Sequence, residues 1–161
     1  MRTIGMLYSP GDSVSIMAID AVRRIAKSRG YELILQPVSN AGDIYRSAVP
    51  LLRRVDAVYT GMDHLVVENL DALLKAASEA GRPVLAGDEG SVERGALAAT
   101  AVSMFDLGVA TGRMTARVLR GAKPGEMAVE VLSTGTPVVN RTTAARFGID
   151  LAPIGPNVKV F

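Results

Sequence analysis

Thr3-Ile4-Gly5-Met6-Leu7-Tyr8 runs directly into Ser9-Pro10-Gly11-Asp12-Ser13, and that into Val14-Ser15-Ile16-Met17-Ala18-Ile19-Asp20-Ala21-Val22. The first six residues read as a buried strand, the next five as a turn, and the rest as an amphipathic helix. Val14, Met17, Ala18, Ala21, Val22 and Ile25 recur at three- and four-residue spacing and form one apolar stripe, and Gly30 follows as a left-handed cap. The same strand–turn–helix grammar then repeats. Glu32–Pro37 is the second strand, and Asp43 is placed to cap a short helix to about Arg54. Ala57–Thr60 is a third strand, and Asp63 is placed to cap a helix carrying Val66, Val67, Leu70, Leu73, Leu74 and Ala77 inward. Residues 83–86 and 96–102 read as strands four and five. Ser103 and Asp106 resemble a capping box opening a helix over about 105–119. Residues 129–132 and 138–139 are short extended pieces, 141–147 a last helical turn or two, and 152–161 an irregular tail.

Alternating strands and helices with short connections predict an α/β fold built on a doubly wound parallel sheet, with strand order 2-1-3-4-5. Residues 1–151 form one lobe of this Rossmann-like kind. At 161 residues the chain is one ordinary domain, and such a domain buries roughly 70% of its extended surface on folding. Nearly half its residues are apolar, so it needs no covalent staple.

The net charge of +2, the absence of Trp and the lack of any long Lys/Arg run argue against nucleic acid as a partner. With no cysteine and a single histidine, there is no thiolate or imidazole cluster for a metal and no cysteine nucleophile. The P-loop, dinucleotide-binding and nucleophile-elbow signatures are absent, so no catalytic residue, cofactor or metal is assigned. The N-terminus enters the first strand directly and reads without a signal peptide, and no apolar run is long enough to span a bilayer.

Sheets of this topology bind ligands outside the carboxyl ends of their strands, where strand order reverses. Three loops end there: residues 9–13, 60–64 and 87–92. The first offers the hydroxyls of Ser9, Ser13 and Ser15, the carboxylate of Asp12 and a helix N-terminus suited to an anion; Asp12 or Ser13 can equally be the helix cap. The second offers Thr60, a close backbone approach at Gly61, and Asp63, which can meet a ligand ammonium or cap its helix. His64, beside it, reads as a solvated residue. The third sets Asp88 and Glu89 between two glycines, more charge than a surface turn needs. A receiver domain, which uses acidic groups and Mg²⁺ in the same topology, fits poorly: Asp12 and Asp63 fall late in their loops and no Lys follows strand five.

Ile4-Gly5-x-Leu7-Tyr8, Val55-Asp56-Ala57-Val58-Tyr59, Arg82-Pro83-Val84-Leu85-Ala86-Gly87-Asp88-Glu89-Gly90-Ser91-Val92, Asp106-Leu107-Gly108, Leu119-Arg120-Gly121 with Lys123-Pro124, and Asn140 before Ala145-Arg146-Phe147-Gly148-Ile149 carry a further signal in their order and spacing. Together they resemble the ABC-transporter substrate-binding proteins, in particular members that bind aromatic amino acids. The resemblance runs from Ile4 to about Leu151 and covers the later half of that family's two-lobed, hinged architecture. It implies a periplasmic or otherwise extracytoplasmic binding protein that does no chemistry and hands a small, amino-acid-like ligand to an ABC permease. The first lobe is missing from the chain, and the helix over 105–119 is expected to belong with it. Leu107, Met114 and Val118 would then need another partner, and a homodimer is expected. A sensory ligand-binding domain of a signalling protein is the alternative use of the same lobe.

Overall fold

The computed structural model describes residues 2–132 and 135–161; Met1, where the expected lobe begins, lies outside them. The elements in order are β1 (Thr3–Tyr8), α1 (Ser13–Ser28), β2 (Glu32–Pro37), α2 (Ile44–Leu52), β3 (Ala57–Thr60), α3 (His64–Glu68), α4 (Leu70–Glu79), β4 (Val84–Ala86), α5 (Glu89–Glu93), β5 (Ala98–Ala101), α6 (Met104–Leu119), β6 (Thr136–Val139), α7 (Arg141–Arg146) and β7 (Lys159–Val160). The sheet runs β2-β1-β3-β4-β5-β6-β7. Its first five strands are parallel and in the expected order, and β6 is antiparallel to β5.

Right-handed crossovers explain the layers. The chain steps one way from β1 to β2, placing α1 on one face. It then steps the other way through β3, β4 and β5, placing α2, α4 and α5 on the opposite face. That second face holds the main core, where Leu7, Val58 and Val84 meet Ile44, Leu51, Leu52, Leu70 and Leu73. Gly5 sets the depth of this packing, because a Cβ there would lie 3.0 Å from Leu51 carbons. Gly30 closes α1 with φ of 73°, the left-handed cap read from the sequence, and Gly81 closes α4 in the same way with φ of 63°.

The structure departs from the sequence reading in several places. The tail was expected to be irregular throughout, yet Lys159–Val160 adds β7 beside β6; two residues are too few to show a period-two pattern. Residues 129–132, expected to be extended, form no strand, and Val129 and Val131 are exposed. The helix after Asp63 is broken at Asn69, whose side-chain amide donates to the Leu65 carbonyl at 2.9 Å and diverts the backbone. Residues 89–93, expected to belong largely to an open loop over 87–92, form α5. Asp43 does not cap α2. A 3₁₀ turn over Ala41–Asp43 carries the chain straight into the helix, leaving the Asp43 carboxylate to Asn40 and Arg46.

Coverage of the first face is incomplete. Beyond α1, the strands β3 to β6 leave an apolar groove of about 650 Å³ lined by Tyr59, Leu85, Leu97, Ala98, Val139 and Leu151. No residue of α6 is buried. Met104, Phe105 and Leu119 are each more than 70% exposed.

Candidate functional site

Because β1, β3 and β4 are parallel, their ends at Tyr8, Thr60 and Ala86 lie on one rim, and the three loops start there together. Asp12 is the N-cap of α1. Its Oδ1 accepts from the Val14 and Ser15 amides at 2.8 and 3.2 Å. Its Oδ2 accepts from the His64 amide at 3.2 Å and lies 2.8 Å from His64 Nδ1. An ionised carboxylate can only accept, so the imidazole N–H donates. That hydrogen bond, helped by the His64 and Ser15 amides, holds the Asp12 carboxyl down at about 2, and the same contact pushes the His64 imidazole above its ordinary value. His64 is therefore a clasp between the first two loops, although its ring is largely exposed.

The sign of the pH dependence follows. Asp12, with a depressed value, contributes fully above 3.8 and loses its contribution as pH falls toward 2. His64, with a raised value, contributes fully below 6.5 and loses its contribution as pH rises through its folded-state value. The clasp is thus complete between about pH 4 and 6.5 and weakens on the alkaline side. His64 is the one histidine of the chain, so its ring protons titrate as a single resolved NMR signal. A midpoint above 6.5 that returns toward 6.5 in Asp12→Asn is expected, and an unshifted midpoint would dissolve the clasp.

Asp63 takes the capping role that the sequence allowed. It is fully buried, with Oδ1 accepting from the Val66 amide at 3.0 Å and Oδ2 from the Ser9 amide at 2.6 Å. It joins the first two loops from below and is not presented at the surface. Thr60 and Gly61 are buried beside it, and the Thr60 hydroxyl reaches only the Gly61 carbonyl, at 3.4 Å. The groups of the first loop left facing outward are the hydroxyls of Ser9, half-buried and only 3.4 Å from the Val38 carbonyl, and Ser13, exposed. Since Asp12 already occupies the α1 amides, a ligand carboxylate would meet these hydroxyls and the His64 edge instead of a bare helix end.

In the third loop Asp88 caps α5, with Oδ1 accepting from the Ser91 amide at 2.8 Å and Oδ2 from the Ser91 hydroxyl at 2.6 Å. Each oxygen keeps a lone pair, and Asp88 is half-buried. Glu89 is drawn toward the tail, where it pairs with Lys159. Gly87 backs onto the second loop, since a Cβ there would lie 3.4 Å from the Tyr59 hydroxyl and 3.6 Å from the Gly61 backbone.

Tyr59 escaped the sequence reading of the site, and Ser15, which that reading named, is buried. Tyr59 stands under the second and third loops, and burial together with the nearby Asp88 carboxylate raises its phenol. Period-two alternation places it opposite the core residue Val58, which is the signal that points to it. Ser15 is buried in the first turn of α1, and its hydroxyl has no partner among the described residues. Among those residues, no cluster of three or more His, Cys, Asp or Glu could hold a metal, and no helix is long and apolar enough to cross a membrane.

Residues 1–153 match the family model described as ABC transporter substrate binding protein. A tyrosine-binding protein of Clostridioides difficile is 28% identical over 142 residues, which are 88% of this chain and 41% of that protein. The structure of an ABC domain in complex with L-Trp from Streptococcus pneumonia superposes with a TM-score of 0.90 at 28% identity, covering 99% of this chain and 55% of that one. A ligand-free, open substrate-binding protein with adhesive properties from Clostridium difficile gives a TM-score of 0.82 at 26% identity, covering 99% and 54%. The chain thus spans about half the length of the relatives it matches.

Proposed function

The chain belongs to the ABC transporter substrate-binding protein family, a family of binding proteins and not of enzymes, and on that premise we propose that it is one lobe of a two-lobed receptor for a free amino acid. The observation that carries this reading is the convergence of loops 9–13, 60–64 and 87–92 on a single rim, with acid and hydroxyl groups left facing outward. Ser9 and Ser13 receive the ligand carboxylate, and Asp88, with the Tyr59 hydroxyl beside it, receives the ammonium. Strands β1 and β4 are separated by one strand, about 10 Å, a gap that an amino-acid head group closes with one hydrogen bond at each end. Charge-assisted bonds of this kind fix orientation as well as adding affinity. The printed ligands of two relatives, tyrosine and L-Trp, favour an aromatic side chain.

In the whole receptor a first lobe would cover the other side of the ligand, hinge closure would trap it, and an ABC permease would take it up from an extracytoplasmic compartment. A lone lobe exposes most of a bound ligand, whereas tight small-molecule sites bury about 70–90% of it. The chain contains no Trp, so the fluorescence of added L-Trp reports binding without a protein background. Weak binding, with Kd on the order of 1 mM, is expected of the monomer. Micromolar binding by the monomer would contradict the half-cleft reading. The apolar side of α6 also favours association with a second copy.

A further inference from the structure

The end of the lobe opposite the ligand rim carries a polar hollow. The parallel strands start at that end, and β6 finishes there, with Val139 opposite Ala98 at the start of β5. The hollow measures about 300 Å³ and lies among α4, α5 and α7. Arg82, Arg94 and Arg146 stand in its walls, with Ser78 and Thr142, and Glu93 is the one carboxylate among the described residues there. Each arginine comes from a different segment. Arg82 precedes β4, Arg94 is the C-terminal cap of α5, and Arg146 ends α7.

Cations beside helix C-termini are ordinary, and two of the three have local partners. Arg94 donates to the Val67 carbonyl at 2.8 Å and pairs with Asp71 at 3.1 Å, and Arg146 donates to the Ser78 hydroxyl at 3.0 Å. Arg82 is different. Its Nε is buried and has no acceptor among the described residues. The Asp56 carboxylate feels its charge, but Asp56 gives Oδ2 to the Arg2 and Thr3 amides at 2.6 and 3.0 Å. A buried donor without an acceptor is costly, and buried polar groups are almost always paired. A water would satisfy that N–H and leave the charge untouched. Against three guanidinium groups stand Glu93 in the wall and the exposed Asp71 outside it, so at least one positive charge is unmatched.

We propose that this hollow is a second binding site, which takes a phosphate group on Arg82, with Arg94 and Arg146 at its mouth. Guanidinium forks meet phosphate oxygens in pairs, and forks from three segments suit a tetrahedral oxyanion better than a planar carboxylate. The volume leaves room for part of the hydration shell. Arg82 also borders a hollow between α2 and α4, but there Glu79 offsets Arg53 and only the charge of Arg82 remains. The arginines gather on the α5 and α7 side. A bound phosphate ties α5 and α7 to the start of β4 and so stabilises the lobe. The site faces away from the rim, where a first lobe would sit, and it does not rest on the amino-acid reading.

The test is titration of the ¹⁵N-labelled chain with inorganic phosphate at constant ionic strength, against chloride, so that general screening cancels. The Arg82 Nε–H is itself observable. It is expected to shift and to exchange more slowly with water, together with saturable shifts at the Gly95 and Thr142 amides and still rim amides at Ser9 and Asp88. Arg82→Gln is expected to weaken binding about tenfold or more, the loss of a charge-assisted pair. Arg146 is exposed, so Arg146→Gln is expected to keep the native circular dichroism while also weakening phosphate; it tests the site even if Arg82→Gln folds poorly. Shifts that grow linearly without saturating, or that both variants reproduce at full strength, overturn the proposal. So does an Arg82 Nε–H that phosphate leaves unmoved. Vesicles separate the two sources of such a group. Sedimentation with phosphatidylglycerol vesicles but not phosphatidylcholine vesicles, abolished in Arg146→Gln, supports a lipid headgroup as the occupant. Saturable phosphate binding without sedimentation supports a free phosphate.

Discussion

Replacing Asp63 with alanine is expected to destabilise the lobe by about 2–4 kcal/mol, the sum of a lost helix cap and a buried amide left without its partner. For a chain of this size that is a fall in Tm of roughly 5–15 °C. The Val66 amide loses its acceptor at the start of α3, and the Ser9 amide loses the bond that holds the first loop against the second. Asp63→Asn separates the two roles. Its carbonyl still caps α3, but its amide then faces the Ser9 amide, donor against donor. The asparagine variant is therefore expected to keep most of the helix while loosening loop 9–13, visible as faster hydrogen exchange at Ser9 with a smaller loss of Tm. Equal, negligible losses in both variants would show that the strap contributes nothing.

Asn140→Ala is expected to cost about 2–3 kcal/mol for a related reason. Asn140 is buried at the start of α7. Its Oδ1 accepts from the Thr143 amide at 2.9 Å and its Nδ2 donates to the Val92 carbonyl at 2.9 Å, while Thr143 Oγ1 donates to the Gly95 carbonyl at 2.9 Å. These bonds fasten the returning segment of β6 and α7 to the end of α5, directly below the third loop. Asn140→Asp keeps the cap acceptor but turns the donor facing Val92 into a second acceptor, so it is expected to lose stability despite its similar shape. Thermal unfolding of both variants checks this. An Asp variant as stable as the native chain would contradict the assigned orientation of the amide.

The parallel part of the fold was legible because each of its elements carries its own period. The apolar run at Thr3–Tyr8, the helical spacing of α1, and the glycines at 30 and 81 are local signals, and local signals decide α/β topology once handedness is imposed; the face of α1 was misread, since Val14, Met17 and Ile25 are exposed and Ser15, Ile19 and Ala26 are buried. The antiparallel edge was less legible: β6 has four residues and β7 two, too few to show alternation, and their pairing depends on partners far away in sequence. The site was legible by position but not by role. Asp12, Asp63 and Asp88 all lie at the rim as read, and all three cap helices. Whether a capping carboxylate also faces a ligand depends on burial and on its second oxygen. Asp63 spends that oxygen on Ser9, Asp12 on His64, and Asp88 on the hydroxyl of Ser91. The first two of those choices reach across more than fifty residues of chain, and no spacing rule contains them. The unpaired side of α6 was visible in the sequence as a stripe of Leu107, Met114 and Val118. The groove over β3 to β6 was not, because an incompletely covered sheet face is a property of layers and not of any one strand.

The most direct test of the binding account is amide shift mapping on the ¹⁵N-labelled chain during titration with L-Trp at millimolar concentration. The account predicts saturable shifts at Ser9, Ser13, His64, Gly87 and Asp88, along the rim. Shifts confined to the sheet groove at Leu85, Ala98 and Val139, with the rim amides unmoved, would contradict it.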